Sequence, residues 1–178
     1  VMDGNDKDAP NAIPRFVAGL DIGTDHLQGS RFIRGGKAIN TPLARYAGVR
    51  LLHAPLISIA ARTRCTDTTN GFRAYSRRFL LDPRVALFRS CFTSYELHYY
   101  LAIRAARLGF RLSEIPVTRA YPQHGPTPSK IHGLRGNFSI LQTLWKVCCG
   151  AFVPTAEEMA RARVGLHGLE IAADTPAS

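Results

Sequence analysis

The first ten residues restrict the fold more than any other part of the chain. An apolar pair, Val1-Met2, runs directly into Asp3-Gly4-Asn5-Asp6-Lys7-Asp8, and Pro10 follows. Apolar residues that give way at once to acids and glycine read as the end of a buried strand and its loop. Asp8 is placed to cap a helix, with Pro10 in its first turn, where a missing N–H costs little. A strand end, an acidic loop and a helix start thus follow one another in short compass. A domain rarely begins at a strand end, so the expectation is that a longer protein supplies sequence before Val1.

The remaining pattern continues the alternation. Ile13, Phe16, Val17 and Leu20 recur at helical spacing and predict one buried face. His26 to Gly29 reads as a short strand, and Ile33 to Thr41, with Gly35-Gly36, as a loop. Pro42 opens a long, mostly apolar helix to about Ala61. Thr66 to Tyr75 is turn-rich and ends in a short strand. Asp82-Pro83 predicts a short helix. Thr93 and Glu96 have the spacing of a capping box for the next helix, whose face is Leu97, Tyr100, Leu101, Ala105 and Leu108, with Gly109 as its stop. Arg111 to Ala120 reads as one strand and Tyr121 to Pro128 as a loop. A helix of mixed character is expected from Ile131 to Phe152. Thr155 and Glu158 form another capping box for a terminal helix with a frayed end.

Charge narrows the partners. The 178 residues carry 23 Lys plus Arg against 13 Asp plus Glu, a net charge of +10, and 19 of the 23 are Arg. Arg presents a planar fork to phosphate and carboxylate, so anionic partners are favoured. The excess lies before Pro154, where 21 basic face 9 acidic residues; the tail from Thr155 has 2 and 4. No uncharged apolar run reaches the length that spans a bilayer. Cys65, Cys91, Cys148 and Cys149 form no CxxC pair and no zinc spacing, and read as reduced thiols.

Five segments carry chemistry-bearing residues. Asp3 and Asn5 stand at the strand end, where clustered oxygens suit a hard divalent cation. Gly29-Ser30-Arg31 lets a backbone pass close to a ligand and offers a fork. Asp67, Thr68, Thr69, Asn70 and Gly71, followed by Phe72-Arg73, can hydrogen-bond sugar hydroxyls or their own backbone. Glu96 is a candidate general base, with the capping box as its plainer role. Arg119 and Lys130 flank a Pro/Gly loop, and Ser129-Lys130 leads into a helix N-terminus, a geometry suited to phosphate.

In this order the segments resemble the family-2 glycosyltransferases, most of all the polyprenyl-phosphate (dolichyl-phosphate mannose synthase-like) group. The resemblance covers roughly residues 1 to 150. It implies an α/β, Rossmann-like GT-A fold, incomplete at the N-terminus, with 1–154 as the C-terminal portion of the catalytic domain and 155–178 as a terminal helix and tail. The implied activity moves a sugar from a nucleotide-diphosphate sugar to a polyprenyl phosphate. Asp3 and Asn5 match the family's DxD-type motif and its Mg²⁺ or Mn²⁺ site, with Lys7 where a relative has a further ligand. Donor contacts fall on Asp3, Asn5, Gly29, Ser30, Arg31, Asn70 and Gly71. Acceptor phosphate contacts fall on Arg31, Arg45, Arg119, Ser129 and Lys130, and the catalytic roles on Asp67, Glu96 and Arg31. The expected setting is cytoplasmic, peripheral at the inner face of an anionic membrane. The rival readings are a family-2 transferase with a sugar-hydroxyl acceptor in cell-envelope polysaccharide synthesis, where Glu96 or Asp67 takes a proton, a basic nucleic-acid module, and an inactive remnant or binding-only domain. The second has no recognition signature in the chain, so nucleic acid is not expected as a partner.

Overall fold

The computed structural model describes residues 1–4, 7–122 and 133–173. Five strands and seven α-helices alternate in the described residues, as the α/β expectation requires. β1 (His26–Ser30) is the centre of a three-stranded mixed sheet: β3 (Arg73–Tyr75) pairs with it antiparallel and β4 (Leu112–Pro116) pairs parallel. β2 (Lys37–Ile39) and β5 (Thr118–Ala120) form a separate two-stranded parallel sheet. Val1 exchanges two backbone hydrogen bonds with Arg73, of 2.8 and 2.9 Å, so the acidic opening segment leaves from the outer side of β3.

Side-chain alternation sorts the central sheet into two faces. Leu27 and Ile115 lie on one, against Ala12 and Phe16 at the first helical turns and Phe72 after the polar loop. Phe16 and Phe72 stack with ring centroids 4.3 Å apart. Helix α1 (Ile13–Asp21) approaches β1 so closely at Gly19 that a Cβ there would lie 2.7 Å from a Leu27 methyl. The opposite face presents His26, Gln28 and Glu114. The larger core lies beyond it, built from Ile57, Phe79, Val85, Leu144, Val147 and helix α5 (Glu96–Arg107), whose Tyr99, Tyr100, Leu101, Ala102 and Ala105 are buried.

The long helix expected from Pro42 to Ala61 forms as α2 (Leu43–Gly48), a π turn (Val49–His53) and α3 (Ala54–Ala61). Pro55 lacks the N–H that a regular α ladder would use, and the widened turn sits just before it. Helix α4 is a short Arg77–Leu80, capped by Ser76, whose Oγ accepts from the Phe79 amide at 3.2 Å. Helix α6 (Gly133–Cys148) follows, and α7 (Ala156–Ala173) begins with the reciprocal Thr155 and Glu158 capping box read from the sequence.

Several expectations are corrected. Asp8 does not cap the first turn; Ala9 stands at that position, and Asp8 is buried in an ion pair with Arg119. Ile13 and Val17 are 45% and 51% exposed, because α1 lies on the sheet by its Ala12, Phe16 and Leu20 edge. The 33–41 segment contains β2 rather than being loop throughout, since Lys37 to Ile39 pair with Thr118 to Ala120. No helix starts at Asp82-Pro83: the Asp82 carboxylate takes the Arg84 amide at 2.8 Å and holds a turn. The strand read from 111 to 120 divides at Val117 into β4 and β5, which serve different sheets. The Ile131 end of the mixed helix lies outside the described residues.

Asp25 ties the base of the sheet together. Its fully buried carboxylate accepts from Ser76 Oγ (2.6 Å), Arg78 Nε (2.5 Å) and the Arg111 amide (3.0 Å). Burial raises its pKa, but these donors outweigh it and leave the pKa below the usual carboxylate value. Beside it, His26 is buried against Tyr75 and Phe79, and desolvation with the nearby Arg73 charge lowers its pKa to about 3. Between about pH 6.5 and that value the unfolded chain binds a proton that the folded chain refuses, so stability falls with acidification. At about pH 5 the His26 contribution is roughly 2 kcal/mol. Thermal unfolding should therefore shift down from about pH 7 to about pH 5, and the shift should shrink in a His26→Gln variant. An equal shift in that variant would remove His26 from the account.

Candidate functional site

The polar loop 66–73 is built into the sheet rather than lying on it. Glu114 of β4 accepts from the Thr66 amide and hydroxyl, both at 2.7 Å, and from the Asp67 amide at 3.3 Å. Gln28 Nε2 donates to the Asn70 carbonyl at 3.0 Å. Arg73 folds back, with Nε on the Asn70 carbonyl (3.0 Å) and Nη2 on that of Thr68 (2.9 Å). Asn70 Oδ1 accepts from the Phe72 amide at 3.0 Å, an Asx turn that explains why a small amide side chain suits this place. Asp67, Thr68 and Asn70 are almost wholly buried. Thr68 Oγ1, Asn70 Nδ2 and Arg73 Nη1 are buried with no partner among the described residues, which leaves the loop with unspent hydrogen-bonding capacity.

Two arginines reach this loop from different strands. Arg31, directly after β1, grips Asp67 in a buried bidentate pair: Nε to Oδ2 at 2.6 Å and Nη2 to Oδ1 at 2.9 Å, with Nη2 also on Thr69 at 3.0 Å. Arg119 of β5 donates to Asn70 Oδ1 at 3.2 Å and Asp3 Oδ2 at 3.0 Å, and pairs with Asp8. Burial pushes the Asp8 carboxyl up in pKa, against the opposing pull of Arg119, and Asp8 Oδ1 has no partner among the described residues. Asp3 lies directly on Gly71: a Cβ there would sit 2.2 Å from the Asp3 carboxylate oxygen, so only glycine leaves room for it.

Tyr121 marks where the cations meet. Its ring lies 4.9 Å from Lys7 Nζ and 5.8 Å from Arg45 Cζ, ring centroid to cation. Arg31 and Arg119 lie close enough to act on the same phenol electrostatically. Burial raises the Tyr121 pKa, but the positive field of Arg45, Arg31 and Arg119 outweighs it and brings the phenol below its usual value. Lys7 is buried, and desolvation is the leading cause of its lowered pKa, with Arg119 and Arg45 acting in the same direction.

Of the expected site residues, the structure thus brings together Asp3, Arg31, Arg45, Asp67, Asn70, Gly71 and Arg119. Gly29 and Ser30 lie at the end of β1: Gly29 donates to the Phe72 carbonyl at 2.8 Å, and Ser30 Oγ is 2.6 Å from Thr66 Oγ1. Both support the loop. Glu96 opens α5 and none of its described hydrogen bonds reaches the cluster. Its Oε1 accepts from the amides of Thr93 and Ser94. Burial raises its pKa, but backbone amides lower it below the usual value, which suits a fixed anion better than a proton acceptor. The box is one-sided, because Tyr95 and not Thr93 stands at the cap position. Asn5, Ser129 and Lys130 lie outside the described residues. Asp8, Gln28 and Tyr121 were not singled out for this site from sequence. Asp8 looked like a cap, and the others sit in segments whose strand pairing no local pattern reveals.

Among the described residues, no group of three or more His, Cys, Asp and Glu side chains is placed to hold a metal ion. Asp3 is the carboxylate of the expected pair that can be located, and one of its oxygens is already taken by Arg119.

No family model matches the chain, and no solved structure matches it. Curated proteins do. The undecaprenyl-phosphate mannosyltransferase of Micrococcus luteus is 29% identical over 169 residues, 93% of this chain and 63% of the relative. The polyprenol monophosphomannose synthase of Mycolicibacterium smegmatis is 29% identical over 120 residues, 66% of this chain and 43% of the relative. The dolichyl-phosphate hexose transferase of Haloferax volcanii is 29% identical over 136 residues, 76% of this chain and 54% of the relative. The chain therefore spans less than two thirds of the length of these curated proteins. The names of these three relatives are consistent with the resemblance to polyprenyl-phosphate glycosyltransferases read from the motifs.

Proposed function

We propose that the protein transfers a sugar from a nucleotide-diphosphate sugar to a polyprenyl phosphate at the cytoplasmic face of a membrane, on a GT-A-type sheet of which this chain carries a part. The observation that carries the reading is the convergence of Lys7, Arg31, Arg45 and Arg119 beside a buried polar loop, in a chain whose relatives are named for polyprenyl or dolichyl phosphates. Loop 66–73 and Asp3 face the donor sugar and diphosphate, and the cations face the phosphates.

The chemistry follows from the charges. An acceptor phosphate oxygen is already anionic. It attacks the anomeric carbon, a new C–O bond forms, and the bond to the nucleoside diphosphate breaks with its electron pair leaving on the diphosphate. The acceptor has no proton to lose, so Glu96 is not needed as a base, in keeping with its place among backbone amides. Fixed guanidinium groups stabilise charge as it builds on the leaving group, because they are oriented before reaction. Asp67 holds Arg31 in position and Asp8 holds Arg119. A Mg²⁺ or Mn²⁺ ion held by Asp3 would add charge stabilisation of the same kind.

The membrane part of the reading rests on α6. Leu144 and Val147 on one side of this helix are buried in the larger core. On the other side, Phe138 and Trp145 are seven residues apart, share a face, and are 70% and 61% exposed. Leu43 and Leu51 of the neighbouring helical run are also exposed. Aromatic side chains beside a basic surface suit an anionic bilayer interface. No helix of the described residues is long and apolar enough to cross a membrane.

The function is tested with the intact protein and a panel of nucleotide sugars, with and without a polyprenyl phosphate. Sugar should appear on the lipid phosphate, and Arg119→Ala should slow transfer by about a hundredfold or more. Transfer to a soluble sugar but never to polyprenyl phosphate would refute the acceptor. Asp67→Asn strips one charge from a buried bidentate pair and should destabilise the fold by roughly 3–5 kcal/mol in chemical denaturation. A loss under 1 kcal/mol, on the order of a surface pair, would show that the pair is not buried. Flotation with anionic vesicles should recover the protein, and the double change Phe138→Ser and Trp145→Ser should reduce recovery. Unchanged recovery would take α6 out of the interface.

A further inference from the structure

Arg31 owes its place to more than Asp67. Asp67 grips the guanidinium, but Asp67 is a loop residue, and a bidentate pair is only as well oriented as the backbone that carries its carboxylate. That backbone is held by Glu114, which stands opposite Gln28 where β4 pairs with β1. Glu114 Oε1 accepts from the amides of Thr66 and Asp67, at 2.7 and 3.3 Å, and Oε2 accepts from the Thr66 hydroxyl at 2.7 Å. Three donors of the loop thus converge on one half-buried carboxylate.

The hydrogens of this cluster follow from its chemistry. A carboxylate only accepts, so the single hydrogen of Thr66 Oγ1 points at Glu114. Ser30 Oγ lies 2.6 Å from Thr66 Oγ1 and is therefore the donor in that contact. A lone pair of Ser30 Oγ takes the Phe32 amide at 3.1 Å. The bonds run one way, from the Phe32 amide through the Ser30 and Thr66 hydroxyls to Glu114. Ser30 and Phe32 flank Arg31, whose own amide donates to Asp67 Oδ2 at 3.2 Å. Glu114 therefore reaches Arg31 by two routes: through Asp67 to its guanidinium, and through the two hydroxyls to its backbone. Ser30 is fully buried, which keeps bulk solvent from its hydroxyl.

We infer that Glu114 is a positioning residue for Arg31: its carboxylate sets the direction of a hydrogen-bond run that fixes the backbone and the guanidinium of Arg31 before a phosphate arrives. The inference rests on the proposed function, in which Arg31 stabilises phosphate charge, and it moves the origin of that alignment to a residue of β4, outside the loop.

The test reverses the run while keeping its shape. Glu114→Gln still accepts the two amides but turns an NH2 group toward Thr66 Oγ1. The Thr66 hydrogen must then turn to Ser30, and the Ser30 hydrogen is left without an acceptor among the described residues. The first readout needs no ligand. In the intact, ¹⁵N-labelled protein the Arg31 Nε–H signal, identified by its loss in Arg31→Lys, should exchange with solvent about tenfold faster in Glu114→Gln. Ser30→Ala alone cuts the same run nearer its start and should speed the exchange as well. The second readout is transfer, with the nucleotide-sugar panel as donors and farnesyl phosphate as acceptor. Glu114→Gln should lower kcat about tenfold and leave KM for the donor within about twofold, because the alignment of a fixed charge is felt in the transition state. Ser30→Ala should cost about fivefold less in kcat in the Glu114→Gln background than in the wild type, although Ser30 and Glu114 share no hydrogen bond. Unchanged Arg31 exchange in Glu114→Gln, or additive effects of the two changes on kcat, would overturn the inference and leave the proposed function standing. A wild-type protein that transfers sugar from no donor to farnesyl phosphate would overturn the proposed function, and the exchange rate would still decide whether Glu114 holds Arg31.

Discussion

A guanidinium cannot be buried without a counter-charge, because desolvation of an unpaired ion costs several kcal/mol. Arg119 meets that condition in a way that organises much of the molecule. Its partners are Asp3 and Asp8 from the opening segment and Asn70 from the polar loop, while its own backbone belongs to β5. One side chain thus joins three parts of the chain that are distant in sequence. Arg31 repeats the device on the other side, where Asp67 secures the end of β1 to the start of the loop. The loop gains its shape from these two anchors, from Glu114 and from Phe72, which seats its far end in the core against Phe16.

The same ion pairs show how a buried charge can be both structural and fixed in orientation. A buried pair is a modest contributor to stability when intact and a large liability when broken. Arginines held in this way are oriented before any ligand arrives, and oriented dipoles and charges are the form in which electrostatic stabilisation is most effective. The surface arginines behave differently. Arg84, for instance, pairs with Asp82 only two residues away and fixes a local turn.

Local sequence signals were sufficient where the physics is local. The Thr155 and Glu158 box, the stop at Gly109 and the helix up to Ala61 depend on residues within a few positions of one another, and the structure has them. The motif order also placed Asp3, Arg31, Asp67, Asn70, Gly71 and Arg119 in one site. What escaped notice depends on pairing over long separations. Lys37 to Ile39 is unremarkable until β5 lies beside it, and Asp8 has the credentials of a helix cap until Arg119 claims it. Tyr121 looked like the first residue of a loop. Its ring meets Lys7 and Arg45, which no spacing rule connects, since they reach it from the opening segment and helix α2.

The division of residues 112–120 at Val117 has a mechanical meaning. One continuous stretch supplies a strand to each sheet, with the turn of direction at a residue that is itself buried in the core beneath α1. Glu114 on one side of that corner grips the first residues of the polar loop, and Arg119 on the other grips its middle. The segment therefore works as a bracket with two arms clamped to the same object. Neither arm can slide along its own sheet without dragging the loop against the other, so the register of both sheets is locked by a single corner, and the loop inherits its rigidity from a strand that never becomes part of it.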